Sequence, residues 1–175
     1  AEDDGIRSTI STSSPSWRRS AEYHEPPSAS IRSFWATIGR LLCDFRTTVV
    51  WLWGGIIGED GLSGIQISEY YPGNVFKHFQ RSVLNLRNQG VLLAIASKNN
   101  LNDAMEVFQE HSDCLLKESD FAAMEINWDD KATNIQKIAK KLNIGLDSIV
   151  FFDDNPVERQ WVSDKLPQVK VIDVP

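Results

Sequence analysis

The chain has 175 residues, 42% of them hydrophobic and 24% charged, with a formal net charge of −6. That length suits one domain with a real core and is tight for two. The acidic balance argues against a general nucleic-acid or anionic-membrane surface, and two cysteines, Cys43 and Cys114, give neither a disulfide framework nor metal-type spacing.

Residues 1–34 stand apart from the rest. "STISTSSPSWRRSAEYHEPPSAS" is rich in Ser, is broken by Pro15, Pro26 and Pro27, and shows no helical or strand periodicity. Such a segment buries too little apolar surface to offset its ordering entropy. It reads as a disordered leader or an aberrant start, with the folded domain spanning 35–175. The opening "AEDDG" is unlike a secretory signal, and no apolar run approaches the roughly 18 residues of a spanning helix. A cytoplasmic protein is expected.

From there the pattern is regular. "RLLCDF", continuing into "TTVVWLW", predicts a strand, and "GGIIGEDGLSGI" a Gly-rich loop. Apolar residues at helical spacing predict a helix over Tyr71–Asn88, ended by Gly90. "VLLAIAS" is a buried strand, and "LNDAMEVFQEH" a helix capped by Asn100 or Asn102. Short strands are predicted at "CLLK" and "AAMEIN", then a helix over "KATNIQKIAKKLN" closed by Gly145. The strand "SIVFF", a helix over Pro156–Lys165 and the strand "VKVIDV" complete the chain. Alternating strands and helices predict an α/β fold, a parallel sheet with helices on both faces. Ligands of such sheets bind beyond the carboxyl ends of the strands, which is where Ser97, Asp153 and Asp154 fall.

"SIVFFDDNPVER" is the densest signal. Two adjacent carboxylates at the end of an apolar strand repel each other and ionise at a cost. A hard divalent cation with oxygen ligands would neutralise Asp153 and Asp154; an acidic cap on the following helix is the alternative. Ser97 can hydrogen-bond a phosphoryl oxygen with help from Lys98, or be a turn residue for local reasons. Lys131 opens a helix against its dipole, which favours a functional role over a solvated lysine beside Lys137, Lys140 and Lys141.

Asp44 in "CDFRTT", Ser97-Lys98 in "IASKNN", Lys131 in "DDKATN" and Asp153-Asp154, in that order, resemble the haloacid-dehalogenase-like (HAD) superfamily of phosphoryl-transfer enzymes. "WGGIIGEDG", "LLAIASKNN", "DFAAMEINWDDKATNI" and "LNIGLDSIVFFDDNPVER" resemble its FkbH-like branch over roughly residues 51–175. The resemblance implies a three-layer Rossmann-like sheet with a minimal cap domain or none. It implies Asp44 as nucleophile, Mg²⁺ on Asp44, Asp153 and Asp154, and phosphate on Ser97, Lys98 and Lys131, with Lys131 also catalytic. Trp53, Gly54, Gly55, Glu59 and Asn99 look like substrate-pocket residues of this branch, although Trp53 also reads as ordinary core. The implied reaction moves a glyceryl unit from a phosphorylated glycerate donor to an acyl carrier protein with loss of phosphate. General phosphomonoester hydrolysis is the alternative within enzymes. Cys43, beside Asp44, reads as an acyl-relay thiol or as a buried strand cysteine, the commoner state.

One motif departs from the family. The first strand of the superfamily ends in Asp-x-Asp-x-Thr, whereas Arg46 stands where Asp44 and Thr48 would frame the second Asp. Anchoring instead on Trp53-Gly54-Gly55 puts Thr47 and Val49 at the two carboxylate positions. Losing the second carboxylate removes a proton donor whose contribution is typically about 10²–10⁴-fold, and Arg46 cannot replace it at neutral pH. A catalytically degenerate binding domain, or insertions in the bases encoding residues up to about 50, would each account for this; the irregular residues 1–34 favour the second.

Overall fold

The computed structural model describes residues 47–49, 52–55 and 57–172. The leader, the domain boundary near residue 35, Cys43, Asp44 and Arg46 all lie outside the described residues.

The described chain is a mixed α/β fold. Its elements are β1 (Thr47–Val49), α1 (Ile57–Gly64), α2 (Gly73–Asn88), β2 (Leu92–Ser97), α3 (Leu101–Glu110), β3 (Phe121–Ile126), α4 (Lys131–Leu142), β4 (Ile149–Phe152), α5 (Pro156–Lys165) and β5 (Lys170–Ile172). The strands pair in the order β3-β2-β1-β4-β5, every pair parallel. Side chains alternate across a strand, and here they feed two separate cores. Leu93 and Ile95 of β2 and Val150 and Phe152 of β4 join Phe79, Val83 and Leu86 of α2 and Val107 and Phe108 of α3. Ala94 and Ala96 of β2, with Ala123, Ile149 and Phe151, join Ile135 and Ile138 of α4 and Val162 of α5. Alanines at 94, 96 and 123 leave room for α4 to lie against β2 and β3. That packing brings the start of α4 to the carboxyl end of the sheet.

Several elements differ from the sequence expectation. The described part of the first strand, Thr47–Val49, lies within the predicted run, and the elements after it are where differences arise. The Gly-rich "GGIIGEDGLSGI" holds a helix, α1, interrupted at Gly61 with φ 63° and ψ −179°. Glycine frequency pointed to a loop, but Ile57, buried at the helix start, supplies the anchor. The Tyr71–Asn88 helix begins two residues later, at Gly73. "CLLK" is not a strand. Its apolar signal comes from Cys114 and Leu116 being buried in the core, while the sheet position beside β2 belongs to β3. Gly145 does not close α4; Asn143 does, with φ 53°. Asn tolerates the left-handed region better than other non-glycine residues.

One buried side chain couples the start of the site to the far core. Gln80 of α2 is fully buried, donates from Nε2 to the carbonyl of Leu52 (3.1 Å) and accepts from the Leu115 amide (2.8 Å). Gln80→Leu fills the same space but leaves two backbone groups unpaired. It is expected to lower stability by about 2–4 kcal/mol, measured by urea unfolding; a loss below about 1 kcal/mol would contradict this account.

Candidate active site

The chain runs outward from β1 to β2 and β3, then crosses back to place β4 on the other side of β1. A crevice opens at such a reversal, beyond the strands' carboxyl ends. A cavity of about 490 Å³ lies there, lined by Ser97, Lys98 and Asn99 after β2, Lys131 at the head of α4, and Asp153 and Asp154 after β4. Trp53, Gly55 and Glu59 line it from the segment after β1. Gly54 is not on the cavity wall. It is buried, bridges to Gln66, and a Cβ there would meet the Phe76 ring at 2.7 Å. Trp53 serves both expectations, since it faces the cavity and packs edge-on to Phe108 at 5.3 Å.

Lys131 lies in the unfavourable dipole position that its sequence context implied. Two carboxylates offset it. Asp130, the N-cap, accepts from the Thr133 amide (3.0 Å) and hydroxyl (2.6 Å) and from the Trp161 indole (3.2 Å). Those bonds, the Thr133 hydroxyl first, lower the Asp130 carboxyl from 3.8 to about 2. Asp153 takes the ammonium itself: Lys131 Nζ pairs with Asp153 Oδ2, with side chains 12% and 2% exposed.

Asp153 has a second task. Its Oδ1 accepts the Asn155 amide at 2.9 Å, and Asn155 in turn caps α5 by accepting from Val157 (2.9 Å). The helix-cap role open to "DDNP" is therefore filled by Asn155. Asp154 is left exposed beside a charged neighbour, and desolvation together with the charge of Asp153 pushes its carboxyl above the ordinary range. Among the described residues, four carboxylates (Glu59, Asp153, Asp154 and Glu158) face this cavity against two ammonium groups (Lys98 and Lys131). A site of that balance repels a bare phosphate and attracts a cation.

Sequence reasoning missed the residues that hold this arrangement. Arg159 Nη1 donates to the carbonyls of Asp153 (2.8 Å) and Asp154 (2.9 Å), pinning the acidic pair's backbone. Asn127 donates its amide to the Ser97 carbonyl (3.0 Å), tying the ends of β2 and β3, and its Oδ1 accepts from buried Asn134 (2.9 Å). Exposed Trp128 lines the cavity and donates to Asn100 Oδ1 (3.1 Å). Glu158 reaches Lys98 at 2.6 Å. The "NPVER" stretch held the only cue, a charged pair in the first turns of α5.

No protein-family model matches the chain, and no curated protein matches it. Among solved structures it is similar to the N-terminal part of the protein BF1531 from Bacteroides fragilis, which contains a phosphatase domain and was crystallised with Mg. The two are 38% identical with a TM-score of 0.73; the match covers 82% of this chain and 40% of that one. This chain thus spans less than half the length of that structure.

The ion pair and the cap make separate predictions. Lys131→Met strands Asp153 in a water-poor position and should cost about 3 kcal/mol, with Asp153→Leu in addition restoring part of it; additive losses in a double-mutant cycle would contradict the pairing. For Asp130 the folded pKa is depressed, so its stabilisation is complete above the ordinary 3.8 and is lost as pH falls towards about 2. Asp130→Asn should keep the cap and show a flatter stability profile across that window, followed by unfolding at each pH.

Proposed function

We propose that the chain is a Mg²⁺-dependent phosphoryl-transfer domain of the HAD-like type, acting on a phosphorylated small molecule. One observation carries the reading: Ser97, Lys131 and Asp153, distant in sequence, meet with Asp154 in one cavity at the carboxyl end of a parallel sheet. Similarity at 38% identity to a phosphatase domain crystallised with Mg supports it. So do the two cores, which are what a three-layer sheet with helices on both faces requires.

The donor chemistry fits a hard divalent cation. Asp153 and Asp154 are oxygen ligands at a strand end, and one or two carboxylates suffice for Mg²⁺, which retains waters. Water and substrate oxygens can supply remaining positions. Bound there, the cation supplies charge neutralisation for the acidic pair and the phosphoryl group. The chain's own residues do the rest. The Ser97 hydroxyl donates to a phosphoryl oxygen, Lys98 and Lys131 offset its charge, and Asn99, Gly55 and Trp53 bound the remainder of the substrate.

The resemblance to the FkbH-like branch extends the proposal: a glyceryl unit passes from a phosphorylated glycerate donor to an acyl carrier protein as phosphate is lost. Among the described residues no helix is long and apolar enough to cross a membrane, and a cytoplasmic setting belongs to the same proposal. A second reading, a binding domain without turnover, is favoured by Arg46 at the second carboxylate position.

These readings separate experimentally. With a phosphorylated glycerate, Mg²⁺ and carrier protein, transfer adds a glyceryl mass to the carrier; phosphate release from an unchanged carrier indicates simple hydrolysis. Ser97→Ala should reduce either activity about 10–100-fold, and chelation of Mg²⁺ should abolish it. A hydroxylamine-labile phosphorylated protein would exclude the binding-only reading. No turnover, with Mg²⁺ and phosphate raising the melting temperature of the wild type but not of Asp153→Asn, would establish it.

A further inference from the structure

We infer that Glu158 is a positioning residue, holding the Lys98 ammonium over the cavity so that it meets an anionic oxygen of the bound phosphoryl group. The inference rests on the phosphoryl-transfer reading of this site. Lys98 leaves the end of β2 and Glu158 sits in the first turn of α5, 60 residues later, yet Nζ and Oε1 are 2.6 Å apart and both side chains line the cavity. The exposures are unequal. Glu158 is 16% exposed and Lys98 38%, so the carboxylate is the fixed partner and the ammonium the presented one.

The local geometry leaves Glu158 available for this. A Glu at the third position of a helix commonly reaches back to the N-cap amide. Here that amide, of Asn155, is already taken by Asp153 Oδ1 at 2.9 Å, and the Glu158 side chain turns to Lys98 instead. A lysine has three ammonium donors and a long flexible stem. One donor on Glu158 leaves two for a ligand and removes most of the rotamer freedom that binding would otherwise quench. Protein kinases place a phosphate-binding lysine by the same device, a glutamate on a neighbouring helix. Lys131 is tied to Asp153 in the same cavity, so each ammonium of the site has its own carboxylate.

The test is binding of inorganic phosphate in the presence of Mg²⁺ to the full chain, read by calorimetry, in wild type, Lys98→Met, Glu158→Ala, Glu158→Gln and the Lys98→Met/Glu158→Ala double variant. Lys98→Met should raise Kd about 10-fold or more, and Glu158→Ala about 3–10-fold. Glu158→Gln, which keeps the acceptor and the fold, should fall between wild type and Glu158→Ala. The double variant should bind no worse than Lys98→Met alone. Multiplying effects would mean that Glu158 acts on the scaffold and not through Lys98, and tighter binding by Glu158→Ala would make it a competitor of phosphate; either overturns the inference. Wild type failing to bind phosphate at all would instead sink the reading of the whole site, and this inference with it.

Discussion

Asp153 sits where an apolar strand delivers a carboxylate into a nearly dry position, and both of its oxygens are partnered. A buried carboxylate without partners is costly. Lys131 pairs with one oxygen through its ammonium, and the Asn155 amide satisfies the other. Lys131, in turn, can stand at a helix N-terminus only because Asp130 and Asp153 offset the dipole against it. The consequence reaches back to the core. α4 must lie close enough to the sheet for its first residue to reach β4, and the alanines of β2 and β3 are what permit it.

Once Asp153 is matched by Lys131 and Glu158 by Lys98, the balance of charge falls on Asp154 and Glu59. Neither lysine is a spare positive charge waiting for phosphate. A phosphoryl dianion entering this cavity meets an environment already negative on balance, so its binding depends on a cation entering with it or before it. On the proposed function, the acidic pair and the lysines would therefore act together. A cation held there would offset Asp154 and Glu59, and the ammonium groups would then be net attractors for the ligand.

The parts of this architecture that could be read from the sequence are those set by short-range pattern. β4 and α5 were legible because an apolar run, two acids and a proline at a first helical turn are all local signals. The convergence of Ser97 and Asp153 followed from parallel topology alone. Long-range pairing was not legible: Lys98 with Glu158 and Arg159 with the carbonyls of the acidic pair depend on how α5 leaves the sheet. Composition misled where burial competes with propensity. α1 forms in a glycine-rich stretch, and "CLLK" packs without joining the sheet. Gly54 looked like a ligand-facing glycine, but it is small because Phe76 occupies the space a side chain would need.

The same topology sets the level of the described part of β1 against its neighbours. Val49 is level with Ala94 on one side and Phe151 on the other. Ser97 and Asp153 follow those partners by three and two positions. The residues proposed to meet phosphate come from the ends of β2 and β4, which flank β1, and from the head of α4. If phosphate is held there, as proposed, a substitution confined to the first strand would leave that cradle intact.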